Sequence, residues 1–503
     1  MRLVYVVLPI LVLGVSGIYA GIQGRNALSD DAFILLRVLR HALEGEGLRF
    51  NPGETGVQPC TSPLNLLLTF FLAKTLSLFG MPIESACLNS AAILFMVSMP
   101  LFAIGMLLLT EEDSKRVPFA LMGGLIAISS PIVHFTAGIE TVPLMALLIW
   151  SALAFALNKF TLSAWLSAFA VLMRHDAILF WMLVVVYIFF YSPVSERKTL
   201  LFRFVVPLVL VLGPWLVFSG FYYGTTIPTT LVSKMAQGGT IYWSAPYYLR
   251  APKWIVEVFF GQIWLAIVLF ILACIGLTLL IKRAILFSRI TRKDKEEHTS
   301  KSRAIALMIL TLFAILHFAF YSFLGIPDYH WYFVPYAMVM LLLSVKGAEF
   351  LFPFALEPRF VAAISVLFGV LAIVFLRAPA KDFRLDAYRE AAQYIRMHPP
   401  KNALGTMEIG MVGFFAPEVK IFDFSGVATL SQVENIARND ATAWLKNPDV
   451  ADKVLIRGEK HPLDPDSDSR FESLYEKEMK FRGNDAFPSG LEIWRLKTVL
   501  QRN

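Results

Sequence analysis

Eleven apolar runs divide this 503-residue chain up to residue 377, and most of them approach the roughly 20 residues a helix needs to cross a hydrocarbon layer. They cover 3–22, 85–109, 118–135, 141–157, 161–174, 177–191, 203–222, 254–281, 304–325, 332–350 and 359–377, the fourth to sixth being short. A bilayer offers no water to unpaired N–H and C=O groups, so such runs fold as helices or not at all. With 57% hydrophobic and 17% charged residues, a soluble globule of this length is excluded and a polytopic helical membrane protein is expected. The first run follows Arg2 with no small-residue cleavage site before Arg25, which reads as a retained signal anchor. Residues 64–79 are apolar but short and follow Pro63, which suits an interfacial helix.

Orientation comes from the basic loops. Residues 282–303 are the densest basic stretch, and Lys115, Arg116, Arg197, Lys198 and Arg203 fall on the same side of an eleven-span count. The N-terminus is then cytoplasmic, and the odd number of crossings puts everything after Arg377 outside. The chain is expected in the cell inner (plasma) membrane as a multi-pass protein. Its net charge of +7 fits such loops and calls for no nucleic acid. From Ala380 the composition turns to mixed charge with short apolar runs. Leu385, Tyr388, Ala391, Ala392 and Ile395 have helical spacing, Pro399 and Pro400 stop that helix, and strand-like runs follow at 403–407, 419–424, 454–456 and 491–496. The expected division is a transmembrane domain over 1–378 and a small extracytoplasmic α/β domain over 379–503. Cys60, Cys87 and Cys274 have neither disulfide nor metal-ligand spacing.

Five polar clusters fall on the outer side of this topology. Asp30 and Asp31 open a helix carrying Arg37, Arg40, His41 and Glu44 at steps of three and four. Two readings fit: carboxylates at a membrane surface that deprotonate an acceptor hydroxyl, or residues that complement the helix N-terminus behind Ser29. The basic stripe suits either a donor phosphate or lipid headgroups in general. Glu140, in Gly138-Ile139-Glu140-Thr141, sits at a span end, where a carboxylate needs water or a polar cavity. Arg174-His175-Asp176 splits an apolar run too long for one crossing. Tyr222 to Lys234 is rich in hydroxyls and ends on a point charge suited to phosphate; an aromatic belt with a snorkelling lysine has the same composition. Asp328-Tyr329-His330-Trp331-Tyr332 is a second such stretch, either an interfacial belt or a platform for a sugar. A transporter would hold its polar residues at mid-membrane on broken helices, so their gathering at one surface favours an enzyme there.

The run DDAFILLRVLRHALEGEGLRFNPGE, followed by Thr61-Ser62-Pro63-Leu64, resembles polyprenyl-phosphate-sugar-dependent glycosyltransferases of the GT-C class, in particular the branch of the mycobacterial terminal arabinofuranosyltransferases. The likeness continues in order through Gly138-Ile139-Glu140-Thr141, Arg174-His175-Asp176, Pro228-Thr229-Thr230 with Lys234, and Tyr332-Phe333-Val334-Pro335. It extends more loosely to Glu408-Ile409-Gly410 and Asp423-Phe424-Ser425-Gly426. His175 replaces the usual proline, Thr229 the usual asparagine and Trp331 the usual arginine. The resemblance implies a GT-C fold of about 11 transmembrane helices with interfacial helices in the first outer loop, and inverting transfer from a polyprenyl phosphate to an extracytoplasmic glycan, lipid or protein. It implies Asp31, or failing it Asp30, as base, and Arg37, Glu140, Arg174, Asp176, Thr230, Lys234, His330 and Tyr332 as substrate contacts. The alternative is a transporter or flippase of a lipid-linked saccharide. Asp30, Asp31 and Glu140 could share a divalent cation, but basic side chains suffice to neutralise one phosphate, so neither cofactor nor metal is expected.

Overall fold

The computed structural model describes residues 2–25, 27–110, 117–242, 246–287, 295–352, 357–375, 382, 384–458, 461, 463–485 and 487–497. The protein is a multi-pass helical bundle joined to a C-terminal α/β unit. Among the described residues, six helices are by themselves long and apolar enough to cross a membrane: Val7–Gly24, Ile83–Thr110, Val194–Tyr223, Ile263–Arg283, Lys301–Leu324 and His330–Leu351. Shorter apolar helices lie between them, including Val117–Ser129, Thr141–Ala156, Phe160–Met173 and Ile178–Tyr191.

Two expected spans are cut short for local reasons. The 118–135 run stops at Ser129, because Ser130 caps a new turn over Pro131–His134, with its side chain accepting from the Val133 N–H. The 254–281 run breaks where Phe260 and Gly261 take positive φ, so Tyr247–Val258 and Ile263–Phe287 are separate helices. The short apolar helix expected after the first outer loop is present as Pro63–Leu78, packed along Ile83–Thr110.

The C-terminal unit holds five strands in the order β2-β1-β3-β5-β4: β1 Leu404–Thr406, β2 Ile421–Asp423, β3 Lys453–Arg457, β4 Tyr475–Phe481 and β5 Leu491–Leu496. β1 runs parallel to β2 and β3, while β5 is antiparallel to β3 and β4. Helix Leu385–Met397 buries Ala391, Ala392 and Ile395. The strand that sequence patterning missed is β4. Its YEKEMKF pattern is mostly charged because it is an edge strand, where exposed Lys and Glu discourage pairing with another chain. The expected domain boundary at 378/379 lies outside the described residues.

The helix Asp30–Leu43 is not laid on lipid headgroups. It is sandwiched, with Ala32, Phe33, Leu35, Leu36, Arg37, Val38, Leu39 and His41 all buried. Phe33 meets the rings of Phe414 and Phe415 at 5.4 and 5.7 Å on the C-terminal unit's helix Gly410–Phe415. The basic stripe is taken up by carbonyls of that unit and of the loop that follows the helix. Arg37, 0% exposed, donates to Val419 O at 2.6 Å and Phe50 O at 2.7 Å. Arg40 donates to Phe414 O at 2.8 Å, and both ring nitrogens of His41 lie 3.0 Å from carbonyl oxygens of Arg49 and Pro417. The side chain of Asn51 pairs with both the N–H and the C=O of Ile421 at 2.9 Å, closing the free edge of β2 as another strand would. Glu54 completes the latch on Lys420 at 2.6 Å.

Candidate active site

A cavity of about 390 Å³ opens where the Asp30–Leu43 helix, the Thr229–Gly238 helix and the turn after Met173 converge. Its lining includes Asp31, Glu140, Arg174, Asp176, Thr230, Lys234 and Tyr332, so seven of the ten residues singled out in the sequence meet in one place. The other three, Asp30, Arg37 and His330, do not line it.

Helix geometry explains how neighbouring aspartates part company. Successive residues turn by roughly 100° around a helix, so Asp31 shares its face with Ile34 and Leu35, both in the cavity wall. Asp30 points instead with Arg37 and His41 toward the C-terminal unit. Its carboxylate accepts the N–H groups of Gly410 at 3.0 Å and Met411 at 2.7 Å. A Cβ at Gly410 would stand 1.9 Å from Asp30 O, so only glycine allows this approach. Burial, with the nearby Glu408 carboxylate adding, pushes the Asp30 carboxyl up to about 8. Glu408 is in turn held by Arg384, Arg457 and Tyr388.

Asp31 is also shifted upward, mainly by burial, with Glu408 contributing; Lys234 acts in the opposite direction. Among the described residues, no other residue hydrogen-bonds or ion-pairs with its carboxylate. A half-buried carboxylate of raised basicity with free lone pairs, facing a cavity, can take a proton from a bound hydroxyl.

The Thr229–Gly238 helix divides in the same manner. Thr230 and Lys234, four apart, face the cavity, while Ser233 and Gln237 both donate to Ser425 O at 2.7 Å on the C-terminal unit. Thr229, in the position where the resembling family has asparagine, ties this helix to Gln58 by two 3.0 Å bonds between its N–H and hydroxyl and the Gln58 backbone. The Lys234 ammonium lies 4.4, 4.8 and 5.5 Å from the ring centres of Tyr329, Trp331 and Tyr332. It has no carboxylate in ion-pair contact among the described residues. Aromatic faces hold a cation without neutralising it, so its charge stays available to an anionic ligand.

Arg174 is differently placed. Its guanidinium pairs with Asp176 at 2.9 Å and Glu140 at 3.8 Å, and donates to Tyr321 at 3.0 Å. Asp176 also accepts from Tyr321 at 2.6 Å and contacts His317 at 2.8 Å, and His317 lies 2.6 Å from the Tyr336 hydroxyl. Sequence reasoning missed His317 and Tyr321. A histidine in the middle of the apolar run 304–325 was the available signal, since an ionisable group at that depth needs a partner. His330 packs among Trp254, Trp331 and Phe135 instead of facing the cavity. Gly138, with φ of 83°, lets Leu28 and Ala32 come within contact and so sets Glu140 at the start of its helix. Among the described residues, no three His, Cys, Asp or Glu side chains are placed to share a metal ion.

Neither a protein-family model nor a curated protein sequence matches the chain. Its fold does match solved structures. ArnT from Cupriavidus metallidurans, bound to undecaprenyl phosphate, aligns with a TM-score of 0.58 over 98% of this chain and 98% of that one at 13% identity. The apo state of the same protein gives 0.57 over 97% and 96% at 12% identity. A mycobacterial arabinofuranosyltransferase, AftD, aligns with a TM-score of 0.45 and 12% identity over 97% of this chain but 41% of its own. On the two ArnT alignments, the architecture is the GT-C fold that the sequence resemblance implies.

Proposed function

We propose that this protein is an integral membrane glycosyltransferase that moves a sugar from a polyprenyl phosphate to an acceptor on the extracytoplasmic side. The observation that carries the reading is the pairing, in one cavity, of a carboxylate of raised basicity with an aromatic-held lysine that lacks a counter-ion. The fold shared with a protein that binds undecaprenyl phosphate supports the same ligand class. Asp31 takes the proton of an acceptor hydroxyl as that oxygen attacks the anomeric carbon from the face opposite the phosphate. The C–O bond to the phosphate breaks, and the phosphate leaves with the electron pair beside the Lys234 ammonium. Attack from the opposite face inverts the anomeric configuration.

The experiment uses the purified full chain in detergent, radiolabelled polyprenyl-phosphate sugars and a set of cell-envelope acceptors. Acceptor-dependent release of free polyprenyl phosphate is expected. A flippase cannot make that product in a single compartment, so binding of the lipid without release under every pairing would overturn the proposal in favour of transport.

A further inference from the structure

The cavity has two chemically different ends, separated by one ring. The Tyr332 ring centre lies 4.9 Å from the Arg174 guanidinium carbon and 5.5 Å from the Lys234 nitrogen, so the two cations share it. At the Lys234 end the cation has no ion-pair partner among the described residues. At the Arg174 end one guanidinium faces two carboxylates, Asp176 and Glu140. Among the described residues, three atoms of this turn are shielded from solvent and lack a hydrogen-bond partner: His175 Nε2, Asp176 Oδ1 and Arg174 Nη1, the last having only its longer 3.8 Å ion pair with Glu140. Buried polar atoms without a hydrogen bond are costly and uncommon, so three in one turn that lines a cavity point to a ligand that completes them.

The types of these atoms say which ligand. Phosphate oxygens only accept, and so does an ionised Asp176 Oδ1; placing them together would set two anions against a guanidinium already shared by two carboxylates. A hydroxyl both donates and accepts. It can give its proton to Asp176 Oδ1 while taking the Arg174 Nη1 hydrogen, and His175 Nε2 can serve a neighbouring hydroxyl.

We propose that the Arg174-His175-Asp176 turn reads hydroxyls of the donor monosaccharide, leaving the phosphate to Lys234 across the Tyr332 ring. This rests on the glycosyltransferase reading and divides its cavity. It also gives a part to His175, where the resembling family has proline. Because His175 Nε2 has no hydrogen-bond partner among the described residues, its removal deletes no hydrogen bond seen for that atom.

The test compares two ligands on the full chain in detergent: polyprenyl phosphate without sugar, and the same lipid phosphate carrying arabinofuranose or a hexose. For His175→Ala, affinity for the bare lipid phosphate should stay at the parent value, while affinity for the best sugar-bearing donor falls by up to about tenfold, the loss of one hydrogen bond. His175→Gln, whose amide can occupy the place of Nε2, should recover most of it. Lys234→Ala should weaken both ligands alike. An equal loss for both ligands in His175→Ala would make the turn a phosphate site, and no loss for the donor would make it a structural turn; either overturns the inference. A parent protein that binds neither ligand and releases no lipid phosphate sinks the glycosyltransferase reading itself, which is a different outcome.

Discussion

The two adjacent aspartates offer the sharpest separation of chemistry from architecture. Asp31→Asn is nearly isosteric, and among the described residues the lost charge is hydrogen-bonded or ion-paired to no other residue. The folded protein should therefore keep its stability within about 0.5 kcal/mol, as for a substitution that breaks no specific feature. If Asp31 is the base, kcat falls by about 10²–10⁴, the usual worth of a positioned proton acceptor, or about 2.7–5.4 kcal/mol on the barrier. Asp30→Asn is the mirror case. It puts an NH₂ group against one of the two amide donors of Gly410 and Met411, removing a hydrogen bond and leaving a buried N–H unpaired, at a cost of about 1–3 kcal/mol. Part of that is offset, because the substitution also removes the repulsion from Glu408 that helps push Asp30 up to about 8. Release of labelled polyprenyl phosphate and the thermal midpoint of both variants give the comparison: Asp31→Asn as stable as the parent but inactive, Asp30→Asn destabilised with the larger share of its turnover per folded molecule intact. Turnover by Asp31→Asn within tenfold of the parent, or a deeper catalytic loss in Asp30→Asn at equal folded fraction, would refute the assignment.

The cation opposite Asp31 gives a pH prediction. A base works deprotonated, and burial raises Asp31 while Lys234 lowers it, so Lys234→Ala should move the acid limb of the rate profile to higher pH as well as weaken donor binding; an unmoved limb would separate the two residues. Arg37→Met leaves the carbonyls of Phe50 and Val419 buried without a donor, a cost on the order of 3 kcal/mol, and should make the C-terminal unit sensitive to protease; parent-like resistance would show the latch to be redundant. Arg174→Ala strands Asp176 and Glu140 together and should lower yield of folded protein along with activity, whereas normal yield would mean that His317 and Tyr321 satisfy Asp176 alone.

Much of the architecture was legible because hydrocarbon allows few solutions: long apolar runs became helices, though Pro131 and the Phe260-Gly261 turn interrupted two of them and the helices Val194–Tyr223 and Lys295–Leu324 begin in polar residues nine positions ahead of their apolar runs. The cavity was legible through charges at span ends, since Glu140, Arg174, Asp176 and Lys234 are costly there without a polar site. Arg37 was misread for a physical reason. An amphipathic basic helix looks the same from its sequence whether its polar face meets lipid phosphates or backbone carbonyls of a unit encoded about 380 residues later, and only the fold brings Val419 to it. Likewise, nothing in the spacing of Tyr329, Trp331 and Tyr332 tells a membrane belt from a cage around Lys234.

That long-range pairing changes what the first loop is for. Within DDAFILLRVLRHALEGEGLRFNPGE only Asp31, Ile34 and Leu35 line the cavity, whereas Asp30, Arg37, Arg40, His41, Asn51 and Glu54 all bind the C-terminal unit. The same unit grips the helix of Lys234 through Ser425. Asp31 and Lys234 thus sit on two helices that are both pinned by one α/β unit, and the distance between them is set by that unit as much as by the membrane bundle. A carboxylate and an ammonium must hold their places to a fraction of an ångström for proton transfer and charge stabilisation to coincide, and a bundle built mainly from non-directional apolar packing supplies little such precision. Directional hydrogen bonds to carbonyls and amides supply it. The motif is therefore long because most of it positions one aspartate.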